Sequence, residues 1–140
     1  IDNFKIESFD KSLDIKDFDI SFARGLSFED GCATITNFTA YLIAKGIEHA
    51  NGKNDKPIKY LVCGGGRKNN VLIQSIKDYL LHKKNISLNS IDDYDLNGDY
   101  IESKAFGYLA IRSFLKLPIS FPKTTGCNFP TTGGKLVKNF

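Results

Sequence analysis

Gly64-Gly65-Gly66 is the run best suited to chemistry, because three consecutive residues without a Cβ leave backbone N–H groups open to close approach by a ligand. It follows the apolar stretch Tyr60-Leu61-Val62-Cys63 and precedes Asn69, which can cap a helix. A helix N-terminus there adds positive potential toward a phosphate or another polar group. The same glycines also suit a tight strand-to-helix turn that binds nothing. Of two known phosphate-binding patterns, one matches weakly and the other does not match. Gly64-Gly65-Gly66-Arg67-Lys68-Asn69 supplies G-x-G but puts Asn69 where a dinucleotide fold has its third glycine, and Asp92 and Asp93 match the ribose-binding acid only loosely. A P-loop needs Ser or Thr after its lysine, and Lys68 is followed by Asn69.

The other reactive side chains are weaker candidates. Asp92, Asp93, Asp95 and Asp99 lie in a polar turn, where acids are ordinarily solvated or capping, so none is promoted to a catalytic base. Glu102 can be the far end of an Asp99-x-x-Glu102 capping box, reaching back to the backbone. His49 and His82 fall near expected helix ends, where the dipole accounts for them without a ligand role. Cys63 flanks the glycine run with no histidine nearby in sequence to activate it, which fits a small buried residue.

The elements that must position these residues follow from the hydrophobic period. Ser27-Phe28-Glu29-Asp30 supplies an N-cap hydroxyl and first-turn acids, and Ile35, Phe38, Leu42, Ile43 and Ile47 recur at helical spacing, predicting a helix over 28–50. Pro57 opens a strand through Cys63 whose second half is apolar on both faces, as in a central strand of an α/β sheet. A second helix, capped by Asn69, buries Leu72, Ile73, Ile76, Tyr79 and Leu80 and wets Gln74, Lys77 and Asp78. A short strand is expected at 86–91. A third helix over 99–116 carries two adjacent stripes, Ile101/Ala105/Leu109 and Phe106/Ala110/Phe114, implying a wide buried face. Residues 1–26 read as an irregular lead-in, 27–116 as the α/β core and 117–140 as a loop-like tail.

Composition bounds the rest. With 140 residues and 41% hydrophobic content the chain suits one core. It starts at Ile1 and contains no Met, which suggests a piece of a longer polypeptide whose partner domain lies upstream. The net charge of +3 is small and mixed, so a basic nucleic-acid footprint is not expected. The three cysteines, Cys32, Cys63 and Cys127, suit neither a disulfide framework nor a metal site, which favours a reducing compartment. No stretch reaches the roughly 20 apolar residues needed to cross a bilayer, and none resembles a signal sequence.

Leu61-Val62-Cys63-Gly64-Gly65-Gly66-Arg67-Lys68-Asn69 resembles the adenosine-side glycine motif of the anhydro-N-acetylmuramic acid kinases, within the actin-like and sugar-kinase ATPase superfamily. Other segments agree in order: Lys11-Ser12-Leu13-Asp14 with Asp17-Phe18, Leu26 to Asp30 with Ala33-Thr34-Ile35-Thr36, Glu102 to Ala110, and Leu117-Pro118 through Thr124-Thr125-Gly126. The likeness covers residues 11–126. Two departures stand out: Asn70 where the family usually has Pro, and Asp95 where it more often has Gly.

The resemblance implies an α/β fold, one ribonuclease-H-like half of an actin-like two-domain kinase, with strand 57–63 near the sheet centre. It implies a cytoplasmic enzyme using ATP and magnesium to phosphorylate 1,6-anhydro-N-acetylmuramic acid as water opens the anhydro ring, a step of cell-wall recycling. Gly64, Gly65, Gly66 and Asn69 would bind nucleotide, and Glu102 would contact the sugar. No metal ligand is assigned, and the catalytic base and first phosphate loop would lie in the N-terminal half. Whether such an enzyme forms a homodimer stays open. The alternative class is a non-catalytic nucleotide-binding or regulatory module of the same fold.

Overall fold

Ser27 caps the longest helix as its sequence suggests, its Oγ accepting the Asp30 N–H at 3.1 Å in a computed structural model that describes residues 17–137. Helix α1 spans Phe28–Asn51 and ends at Gly52, whose φ of 56° lets its N–H turn back to the Glu48 and His49 carbonyls. Strand β1 follows at Ile58–Val62, then a 3₁₀ turn at Gly65–Lys68, helix α2 at Asn70–Tyr79 and strand β2 at Ile86–Ser90. Each expected element of this β-α-β run is present, with ends moved by a residue or two.

The two strands pair in parallel from Ile58 opposite Ile86 to Val62 opposite Ser90. One sheet face turns Ile86 and Leu88 into a core of Ala40, Ala44, Ile76 and Leu80, and Tyr60 reaches the Ile47 carbonyl. Among the described residues the sheet has two strands and Leu61 is 43% exposed, so β1 does not show the burial on both faces expected of a central strand.

The α1 seam also differs from the expected stripe. Phe38 is buried, but Ile35 and Ile43 are exposed, and the deepest positions are the small Ala40 and Ala44. Alanines let α2 approach closely enough to bury Ile76, 2% exposed, between the helices. Tyr79 ties the pair by donating its hydroxyl to Asn37 Oδ1 at 2.7 Å. His82, expected to be explained by a helix dipole alone, places Nε2 2.7 Å from Glu48 of α1. Burial raises the Glu48 pKa, but Lys45 at 2.9 Å and His82 outweigh it and hold the carboxyl below its usual value.

The chain divides into two units, one over Phe18–Ile101 and one containing the described residues from Glu102 onward. The second unit holds helix α3, which spans Ile101–Phe114 and so begins with the last residue of the first, and a one-turn helix α4, Pro122–Thr125. The tail is thus more ordered than a loop: Ser120 pairs with Thr131, Ser113 donates to the Gly133 carbonyl, and Arg112 Nε donates to the Pro118 carbonyl at 2.8 Å. The wide buried face expected of α3 is absent. Ala105, Phe106, Ala110 and Phe114 are all exposed, and no α3 residue is fully buried.

The matching segment at Lys11 to Asp14 and most of the lead-in lie outside the described residues. Among the described residues no helix is long and apolar enough to cross a membrane.

Candidate functional site

Parallel pairing brings the carboxyl ends of β1 and β2 side by side, so the segments that follow them emerge together. In open α/β sheets this is the end at which ligands bind. After β1 comes the glycine run; after β2 comes the acid-rich turn from Ile91 to Asp99.

Gly64 is the residue that needs to be glycine on conformational grounds, with φ of 78°. Its N–H donates to the Gly98 carbonyl at 3.0 Å, while its own carbonyl accepts from the Arg67 N–H at 3.3 Å and from Arg67 Nη1 at 2.9 Å. Gly65 and Gly66 open the 3₁₀ turn, and their N–H groups have no acceptor among the described residues. A Cβ at Gly64 or Gly65 would meet open space, and one at Gly66 would make an ordinary contact with Leu72. The loop is therefore approachable from outside, as a ligand-binding backbone must be.

Asn69 caps α2, its Oδ1 accepting the Leu72 N–H at 3.0 Å. That commits the oxygen to the helix and leaves the amide nitrogen as the group it can offer a ligand. Cys63, expected to be buried, is exposed.

The acidic turn is not simply solvated. Asp92 takes Arg67 bidentately, Nε at 2.5 Å and Nη2 at 3.3 Å, and also accepts the Gly98 N–H at 2.8 Å and the Ser90 hydroxyl at 2.9 Å. Asp99 takes Arg67 Nη1 at 2.6 Å and Lys68 Nζ at 2.7 Å. Arg67, foremost, with the Gly98 N–H and the Ser90 hydroxyl, holds the Asp92 carboxyl well below the usual carboxylate range. Arg67 and then Lys68 pull Asp99 down to about 2. Asp99 and Asp92 in turn hold the guanidinium charged far above its ordinary value. Carboxylates this acidic are poor proton acceptors at neutral pH. Asp95 adopts the left-handed conformation at φ 60°, a backbone region that favours glycine.

A model of the family described as anhydro-N-acetylmuramic acid kinase matches residues 4–139. The chain belongs to the anhydro-N-acetylmuramic acid kinase family. Over 143 aligned positions it is 53% identical to a protein of that name from Pelagibacter ubique, with all of this chain and 38% of the relative covered. A protein of the same name from Zymomonas mobilis is 43% identical over 90% of this chain and 33% of its own length. One from Caulobacter vibrioides is 41% identical over 91% of this chain and 32% of its own. The chain therefore spans about a third of the length of the curated relatives it matches.

The structure brings Gly64, Gly65, Gly66 and Asn69 of this kinase-family chain together at one sheet end within the first unit. Glu102 belongs to the second unit, on the first turn of α3, where it is exposed. The Arg67, Asp92 and Asp99 cluster is what sequence reasoning overlooked. Its signal was present: an arginine directly after the glycine run, and an acid-rich turn directly after the neighbouring strand. Among the described residues no group of three or more His, Cys, Asp or Glu could hold a metal ion.

Proposed function

We propose that this chain is the C-terminal, nucleotide-binding part of a cytoplasmic ATP-dependent kinase acting on 1,6-anhydro-N-acetylmuramic acid in peptidoglycan recycling. In the reaction the γ-phosphoryl of ATP passes to O6 of the sugar, water adds at C1 as the C1–O6 bond opens, and N-acetylmuramic acid 6-phosphate and ADP leave. The proposed architecture is one ribonuclease-H-like half of an actin-like fold, with residues 27–116 as its α/β core.

The observation that carries this reading is the coincidence of the family match with an approachable Gly64-Gly65-Gly66 loop at the carboxyl end of β1. The free Gly65 and Gly66 N–H groups would donate to the nucleotide, and Asn69 would add its amide nitrogen while holding the start of α2. Glu102 would accept sugar hydroxyls. Magnesium, which phosphoryl transfer of this kind uses, would neutralise phosphate charge. No described cluster of this chain is assigned to hold it. The base and the first phosphate loop belong to the part of the relatives' length that this chain does not span.

The test is Gly65→Val in the complete enzyme, read by ATP calorimetry, sugar kinetics and a thermal melt. Gly65 is not at positive φ, so a valine there does not strain the backbone. The added side chain points into open space, so the melt should hold. Bulk forced against a bound nucleotide costs about 1–3 kcal/mol, roughly tenfold or more in Kd. ATP affinity should fall by that factor with the sugar KM little changed. Unchanged ATP binding in the folded variant would return the glycines to a purely structural turn.

A further inference from the structure

An arginine beside a glycine-rich nucleotide loop is ordinarily read as a phosphate ligand, because guanidinium matches phosphate geometry. The bonds around Arg67 argue otherwise. Its side chain is 7% exposed. Nε and Nη2 are held by Asp92, and Nη1 is held by Asp99 and the Gly64 carbonyl, so four of its five N–H donors are engaged. The packing around the fork is equally committed: a Cβ at Gly98 would stand 2.7 Å from Arg67 Cζ. Gly64, the left-handed residue that sets the loop's path, is gripped on both its polar atoms, by Gly98 and by Arg67.

We infer that Arg67 is a positioning residue for nucleotide binding: it fastens the Gly64-Gly65-Gly66 loop to the Asp92–Asp99 turn and thereby fixes where the free N–H groups of Gly65 and Gly66 point, without touching the nucleotide itself. This rests on the nucleotide-loop reading above. A guanidinium does this where an ammonium could not, since one planar group must reach two carboxylates and a carbonyl at fixed angles. Lys68, 62% exposed and bonded among the described residues only to Asp99, is the cation of the pair with more freedom to move.

The two roles of Arg67 predict opposite signs for Asp99→Asn. If Arg67 bound phosphate directly, removing a neighbouring negative charge would leave ATP affinity unchanged or raise it, because charge close to a polyanion is repulsive. If Arg67 positions the loop, loosening its anchor lowers ATP affinity. The experiment measures ATP Kd, ATP KM, sugar KM and melting temperature for the wild-type complete enzyme and for Arg67→Gln, Arg67→Lys and Asp99→Asn. A displaced binding loop is expected to cost about tenfold or more in ATP KM. That loss should appear in Arg67→Gln and Asp99→Asn, with no rescue by Arg67→Lys and with the sugar KM within about twofold of wild type. Tighter or unchanged ATP binding in Asp99→Asn would overturn the inference, as would full rescue by lysine. Should Arg67→Gln fail to fold, Asp99→Asn still decides, since it leaves the Asp92 pair in place. A wild-type enzyme that binds no ATP would instead refute the nucleotide-loop reading itself. Weakening by Gly65→Val but not by the Arg67 and Asp99 variants would refute the positioning role alone.

Discussion

Glu102 can be separated from the capping role that its spacing from Asp99 suggests. Both Asp99 carboxylate oxygens are engaged, by Arg67 and Lys68, and its N–H donates to Asn97 Oδ1 at 3.0 Å. The reciprocal box therefore lacks its partner, and α3 begins one residue later than that box requires. Glu102→Gln in the complete enzyme should leave the melting temperature unchanged. If the carboxylate accepts sugar hydroxyls, the lost charge weakens the bond by about 1–2 kcal/mol, roughly tenfold in kcat/KM for the anhydro sugar. Equal kinetics and an equal melt would remove Glu102 from the sugar site. At this scale the sequence was legible where a residue type has one local use, as with Ser27 and Asn69 as caps. Which glycine carries the positive φ was not legible, because Gly64, Gly65 and Gly66 are chemically identical and only the bonds from Gly98 and Arg67 distinguish them.

Periodicity sufficed for the elements of the first unit, since β1, α2 and β2 each carry a complete local signal. Within α1 the period marks the larger Ile35 and Ile43, whereas close helix packing buries Ala40 and Ala44. The Arg67 cluster escaped for a related reason: it forms between residues up to 32 positions apart, and only parallel pairing of β1 with β2 brings them together. Its acid sensitivity follows from the sign of the shifts. Asp99 is held at about 2 and Asp92 lower still, against about 3.9 in an unfolded chain. Depressed folded values mean that the stabilisation is fully present above the unfolded pKa and is lost as pH falls through the folded ones. Between about pH 4 and pH 2 the unfolded state binds more protons, so acid destabilises the clamp over that window. Melts at pH 5 and pH 3 should therefore show a larger acid-induced fall in wild type than in Asp92→Asn/Asp99→Asn, in which those groups no longer titrate. An equal fall in both would show that the pairs contribute nothing to stability.

At the scale of the whole chain, two compact units and a broad exposed apolar surface contrast with the single core that 41% hydrophobic content suggested. Phe106, Tyr108, Ile111 and Phe114 on α3 are each between 59% and 65% exposed. Of these, Phe106 and Phe114 belong to an apolar stripe that sequence patterning expected to be buried. The proposed kinase reaction needs a phosphate clamp, a metal ion and a base held in line with the acceptor oxygen. The first unit offers the proposed nucleotide loop, and its acids Asp92 and Asp99 are tied to Arg67 as poor proton acceptors. A loop that binds only one part of ATP gains little of the alignment that makes transfer fast, because the reacting oxygen and phosphorus must be held within a narrow geometry. The 140-residue chain by itself is therefore expected to bind ATP weakly and to transfer no phosphoryl group to the anhydro sugar. The measurement is sugar-dependent ADP release by the purified chain beside that of a protein spanning the full length of the relatives. Release by the 140-residue chain above its sugar-free background would show that the base and clamp lie within it, and would overturn their assignment to the rest of the polypeptide.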